Sequence, residues 1–160
     1  MRILIAHNAY QQKGGEDSVV ETEATLLRSH GNEVAVYSRH NDDINGMSRI
    51  DLARQTLWSS RTERDIAKWV ADFRPDVIHA HNTFPLISPS LYLAADRANV
   101  PLVQTLHNFR LFCPQAMLLR EGKVCEDCLG KLPWRGVVRG CYRGSQTQSA
   151  VIGGMLVLHR

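Results

Sequence analysis

"VIHAHN", residues 77–82, begins as a buried strand and then sets His79, His81 and Asn82 where an apolar core would reject them. The same His-Asn dipeptide closes two other apolar runs, "ILIAHN" at His7 and Asn8 and "VQTLHN" at His107 and Asn108. A strand end is where a sheet presents side chains to a ligand, so three strands stopping on one polar pair are read as parts of one site.

Outward from these runs the hydrophobic period changes regularly. "GGEDSVVETEATLLRSHG" reads as a helix, with Ser18 and Glu21 as a capping box and Gly31 as its stop. "EVAVYSR" alternates as a strand, "HNDDING" reads as a turn, and two helical stretches follow. In the second, Ser60 and Glu63 repeat the box, Ile66, Trp69, Val70 and Phe73 recur at helical spacing, and Pro75 ends it. "SPSLYLAADRAN" is a further helix, with Ser88 as cap and Pro89 at its first position. Strand and helix alternating in this way predict an α/β fold, a doubly wound parallel sheet with helices on both faces. If the first strand neighbours "VIHAHN" and that neighbours "VQTLHN", the three His-Asn pairs line one wall of a crevice at the carboxyl ends of the strands.

A chain of 160 residues with 44% hydrophobic content buries roughly 70% of its unfolded surface, enough for one core. A single domain over residues 1–160 is expected. The net charge of +3 is modest, but residues 110–143 hold seven basic side chains against three acidic ones. The apolar run after Met1 is too short for a secretory signal, and no 18-residue apolar stretch occurs. These features point to a cytoplasmic protein with reduced cysteines, which disfavours disulfides.

Imidazole and carboxamide groups donate and accept hydrogen bonds without fixing a charge, which suits a hydroxyl-rich ligand such as a sugar. One such histidine alone reads as a hydrogen-bonded strand end; three together favour a ligand. His-x-His also holds zinc in barrel hydrolases, but this chain is too short for an eight-stranded barrel. The first loop, "HNAYQQKGGED", lacks the dinucleotide fingerprint Gly-x-Gly-x-x-Gly. Gly14 and Gly15 still allow close backbone approach at a helix N-terminus, where Glu16, Asp17 and Glu21 compete with a phosphate. The turn is read as meeting hydroxyls or part of a larger ligand, with a plain glycine turn as the alternative.

After Asn108 the periodicity lapses for about 35 residues. Cys113, Cys125, Cys128 and Cys141, separated by eleven, two and twelve residues, suit a structural zinc held by four thiolates, with free thiols and disulfides as alternatives. The metal would supplement a segment whose few apolar side chains must offset the ordering of irregular backbone. The basic excess fits peripheral contact with an anionic lipid surface or a phosphate-linked acceptor. Few aromatics are present for base stacking, so no nucleic acid is expected. The closing "SQTQSAVIGGMLVLHR" looks helical but interrupted by Gly153 and Gly154, and no strand follows it, so the chain reads as cut.

"KGGEDSVV", "DVIHAHN", "TLHNFRLFCP" and the run from "CEDCLG" to "GCYRGS" resemble, in that order, the N-terminal half of family-4 glycosyltransferases. These are retaining enzymes of the GT-B type with two Rossmann-like domains. The resemblance implies that this half binds a glycan or lipid-linked acceptor, at the inner face of the membrane, while a C-terminal domain absent here binds most of a nucleotide-sugar donor. No catalytic metal is expected. It also implies that His107 faces the sugar undergoing transfer, that Gly14 and Gly15 approach the donor phosphate, and that His81 and Asn82 lie on the acceptor side; His7, Asn108 and Arg110 are expected to bind substrate with them. Asp17 stands where the family commonly has the longer glutamate. These residues alone are expected to transfer no sugar. The rival readings are a non-catalytic carbohydrate or lipid-surface binding module and a zinc hydrolase using His79 and His81.

Overall fold

The computed structural model describes residues 1–159. They form two compact units, Met1–His107 and the segment from Asn108 onward. The cysteine-bearing stretch expected at 110–143 therefore lies in a unit that also takes in the last helix.

The first unit runs β1 (Arg2–Ala9), α1 (Gly15–Ser29), β2 (Glu33–His40), a 3-10 helix (Asn41–Gly46), α2 (Arg49–Leu57), α3 (Ser60–Phe73), β3 (Val77–Ala80), α4 (Ser90–Arg97) and β4 (Leu102–Gln104). The four strands are parallel in the order β2-β1-β3-β4, a Rossmann-like arrangement that sets β1, β3 and β4 side by side. The strand period of two sorts their side chains. Leu4, Ala6, Ile78 and Ala80 pack with Ile66 of α3 and with Leu91, Ala94 and Ala95 of α4. Ile3 and Ile5 face the other way, onto Val20 and Ala24 of α1, with Val77 beside them. The expected stripe of α3 holds: Ile66 is fully buried, and Trp69, Val70 and Phe73 pack against the same core. Fully burying each such aliphatic side chain contributes about 1.5–3 kcal/mol.

The helix starts differ from those read in the sequence. α1 begins one turn earlier than Ser18: Gly14 caps it, and its N–H donates to Asp17 Oδ2 at 2.7 Å. Asp17 wins because a carboxylate three residues beyond the cap reaches the free N–H, whereas Ser18 lies inside the first turn and bonds back to the Gly14 carbonyl. At α3 the cap is Ser59, whose hydroxyl accepts from the Thr62 N–H at 3.2 Å. Two serines are adjacent there, and Ser59 is the one held from behind, its own N–H donating to Ser88 Oγ. Ser88 in turn sits at φ 60° before Pro89, the cap of α4. It accepts from the Ser90 N–H at 3.2 Å.

In the second unit β5 (Leu119–Arg120) and β6 (Lys123–Val124) pair antiparallel, followed by α5 (Trp134–Val138) and α6 (Gln146–Leu158). Gly153 does not interrupt α6. A β-carbon there would stand 3.1 Å from Val137 Cγ2 of α5, so the missing side chain is what lets the two helices approach. Among the described residues no helix is long and apolar enough to cross a membrane.

Candidate functional site

β1, β3 and the segment after β4 bring four imidazoles to the α1 face of the sheet, at its carboxyl end. His7 follows Ile3 and Ile5 on that face, as His79 and His81 follow Val77. The ring centroids of His7 and His81 lie 6.3 Å apart, those of His79 and His81 4.4 Å, and those of His81 and His107 5.3 Å. His81 Nδ1 and His107 Nε2 share a hydrogen bond of 3.0 Å, and His79 Nε2 meets Thr105 Oγ1 at 2.9 Å. Glu23, from the middle of α1, closes the group: its carboxylate lies 3.1 Å from His79 Nδ1 and 3.4 Å from His81 Nε2.

Two ring nitrogens in this cluster are buried and lack a hydrogen-bond partner, His7 Nδ1 and His81 Nε2. Buried polar atoms are nearly always paired, so each calls for an explanation in ligand or function. Burial, followed by the neighbouring imidazoles of His79, His107 and His7, pushes the pKa of His81 down to about 4. His81 is therefore neutral near pH 7, offering one donor and one acceptor.

His7 is held by Asp17. His7 Nε2 stands 2.8 Å from Asp17 Oδ1, which also accepts from the Tyr10 N–H, while Oδ2 takes the Gly14 N–H. Burial pushes the Asp17 carboxyl up, but the Gly14, His7 and Tyr10 hydrogen bonds outweigh it and hold the group below the usual carboxylate range. The carboxylate thus turns inward and fixes both the glycine turn and the His7 ring. Asn82 also turns inward, donating to the Asn8 carbonyl at 2.9 Å and accepting from the Phe84 N–H at 3.0 Å.

Neither loop glycine is needed by the fold. Gly14 has φ −108°, extended backbone open to any residue, and a β-carbon on it would make ordinary contacts. One on Gly15 would meet nothing within 4 Å. The space a side chain would fill stays free for something that approaches the start of α1.

Asn108 and Arg110 belong to the second unit. Asn108 Oδ1 accepts from the Arg110 N–H at 2.9 Å, and the Arg110 guanidinium donates to the Pro114 carbonyl and lies 5.1 Å over the Tyr142 ring. Cys113, Cys125, Cys128 and Cys141 form no disulfide and line one cavity of about 20 Å³ with Pro114, Leu118 and Gly136. That volume suits a single small guest. Elsewhere, the donor atoms of Glu23, His79 and His81 lie within 4.8 Å of one another.

The His-Asn endings found His7, His81 and His107 in the sequence; they did not reveal Glu23 or Thr105. A signal for Glu23 was present. Val20, Ala24 and Leu27 form the apolar stripe of α1, and Glu23 falls on that stripe at helical spacing, where a carboxylate needs a buried partner.

A search among curated proteins finds none that matches this chain. The family model described as Glycosyltransferase Family 4 matches residues 13–129, from the glycine turn through the third cysteine. With that match covering most of a chain whose sheet and turn are built as described, the protein belongs to glycosyltransferase family 4, as its N-terminal domain.

Proposed function

We propose that this chain is the acceptor-side half of a retaining sugar transfer from a nucleotide-sugar to a glycan or lipid-linked acceptor. The observation that carries the reading is the convergence of His7, His81 and His107 from three neighbouring stretches at the carboxyl end of a parallel sheet. In this reading His107 touches the sugar undergoing transfer, and the unpaired His7 Nδ1 accepts from a substrate hydroxyl. Asp17 acts through His7 and the glycine turn. The open side of Gly15 admits the donor phosphate, whose nucleotide is held mainly by a further domain. In this reading no metal takes part in the transfer, and retention is assigned to no carboxylate nucleophile, Asp17 and Glu23 both being engaged with histidines.

The test is a titration with sugar nucleotides and with soluble and lipid-linked glycans, followed by chemical shifts. Gly15 and His107 should move, and His107→Ala should weaken binding about tenfold, the worth of one well-made hydrogen bond. If no sugar nucleotide or glycan moves either residue, the reading fails.

Two further parts belong to the same proposal. The exposed Phe109, Phe112, Met117 and Trp134, among basic side chains, suit peripheral contact with the anionic inner face of a membrane. The four cysteines suit one structural zinc, whose chemistry when bound is to cross-link the irregular segment. Cys128 and Cys113 are the most buried of the four, and drawing the sulfurs inward would close the cavity they line. Cobalt-loaded protein should show the intense thiolate-to-metal charge-transfer absorption of a sulfur-rich site. Metal-replete protein without it would remove the zinc.

A further inference from the structure

We propose that Glu23, His79 and His81 form a second, sulfur-free binding site for a divalent cation of the zinc type. Their donor atoms are already spaced for one ion: His79 Nδ1 lies 3.1 Å and His81 Nε2 3.4 Å from the two oxygens of Glu23. The three donors fall within 4.8 Å of one another. Ligands about 2.0–2.2 Å from a tetrahedral zinc stand about 3.3–3.6 Å from each other, so an ion fits with small adjustments.

The outer hydrogen bonds support this placement independently. A metal-bound imidazole ordinarily gives its other ring N–H to a fixed acceptor, which sets the tautomer. Thr105 Oγ1 stands at His79 Nε2 and His107 Nε2 at His81 Nδ1. Donation to those partners leaves lone pairs on His79 Nδ1 and His81 Nε2, the two nitrogens that face Glu23. His81 is 2% exposed, and its Nε2 is buried with no hydrogen-bond partner. An unpaired acceptor aimed at a carboxylate is unfavourable unless a cation lies between them. Glu23, with 29% of its side chain exposed, gives the ion a path from solvent. Two imidazoles and a carboxylate leave a fourth position open, a donor set that suits zinc over magnesium or calcium.

Binding of metal here does not depend on the chain's part in sugar transfer, and it is read without any activity. Cobalt titrated into the full chain should give visible d–d absorption in addition to any charge-transfer band from the cysteines. That absorption should fall at least about tenfold in apparent affinity in both His79→Gln and Glu23→Gln, with Thr105→Val about 10- to 100-fold weaker than the unaltered chain. In the unaltered chain, zinc should shift the ring nitrogen resonances of His79 Nδ1 and His81 Nε2. Because that readout needs no variant, it decides the matter even where a substitution unfolds the protein. Unmoved ring nitrogens, or sulfur-free absorption that persists in both variants, would overturn the site; ring shifts together with loss in the variants would establish it.

Discussion

Asn8→Leu is expected to destabilise the protein by about 2–4 kcal/mol, measured as a lower denaturant midpoint at unchanged slope. Leucine has nearly the shape of asparagine, so the cost is polar. Asn8 is fully buried, its Oδ1 accepts from the Leu86 N–H at 2.9 Å, and its Nδ2 donates to Asn41 Oδ1 at 2.8 Å. Leucine leaves the buried Leu86 N–H without an acceptor and strips Asn41 of its donor, and each buried orphan costs about 1–3 kcal/mol. Asn41→Ala removes only the second bond, at a partly exposed position, and should cost well under half as much. The backbone of Asn8 bonds Asn82 in both directions, through Asn8 N–H to the Asn82 carbonyl at 2.7 Å and Asn82 Nδ2 to the Asn8 carbonyl. Asn8 therefore sets the loop after β3 against the end of β1, and with it the spacing of His7 and His81. A midpoint unchanged within error would mean that the Leu86 N–H finds another partner.

This role explains why part of the site was legible and part was not. The strand period fixes which face each residue of β1 and β3 takes, so His7, His79 and His81 on one side of the sheet follow from the sequence once the order β1-β3-β4 is assumed. The polar residue after each histidine was visible as well, but no local pattern says that Asn8 and Asn82 hydrogen-bond each other and the chain around them. Glu23 lies 56 positions from His79, and nothing local says that their side chains meet. The capping errors have a local cause, since neighbouring Ser59 and Ser60, or Gly14 and Ser18, offer similar chemistry and tertiary contacts choose between them. The cysteine segment carried no period because its turns rest on left-handed residues, Ala116 at φ 72°, Leu118 at φ 50° and Glu121 at φ 51°, which propensity does not announce.

Acid should weaken the fold in two separate stages, the larger one set by His81. With chelator present to keep metal out, His81 is neutral in the folded protein down to about pH 4, held there by burial and by the His79, His107 and His7 imidazoles. In the unfolded chain it takes a proton near pH 6.5. Between those values the unfolded state binds more protons, so stability falls as pH falls, at up to about 1.4 kcal/mol per pH unit and about 3 kcal/mol across the window. Below about pH 4 the folded state is protonated too, and this loss stops growing. Asp17 acts lower and in the same direction, since its folded pKa is depressed too. Its folded pKa lies below the ordinary 3.8, so the stability it contributes is whole above that value and disappears as pH drops through the folded one. Denaturant unfolding at a series of pH values separates the two, because His81→Gln should flatten the upper window and leave the lower one in place. Midpoints that agree at about pH 7 and about pH 4.5 would show that the buried imidazole meets its proton without cost, which requires a counter-charge closer than Glu23 now stands.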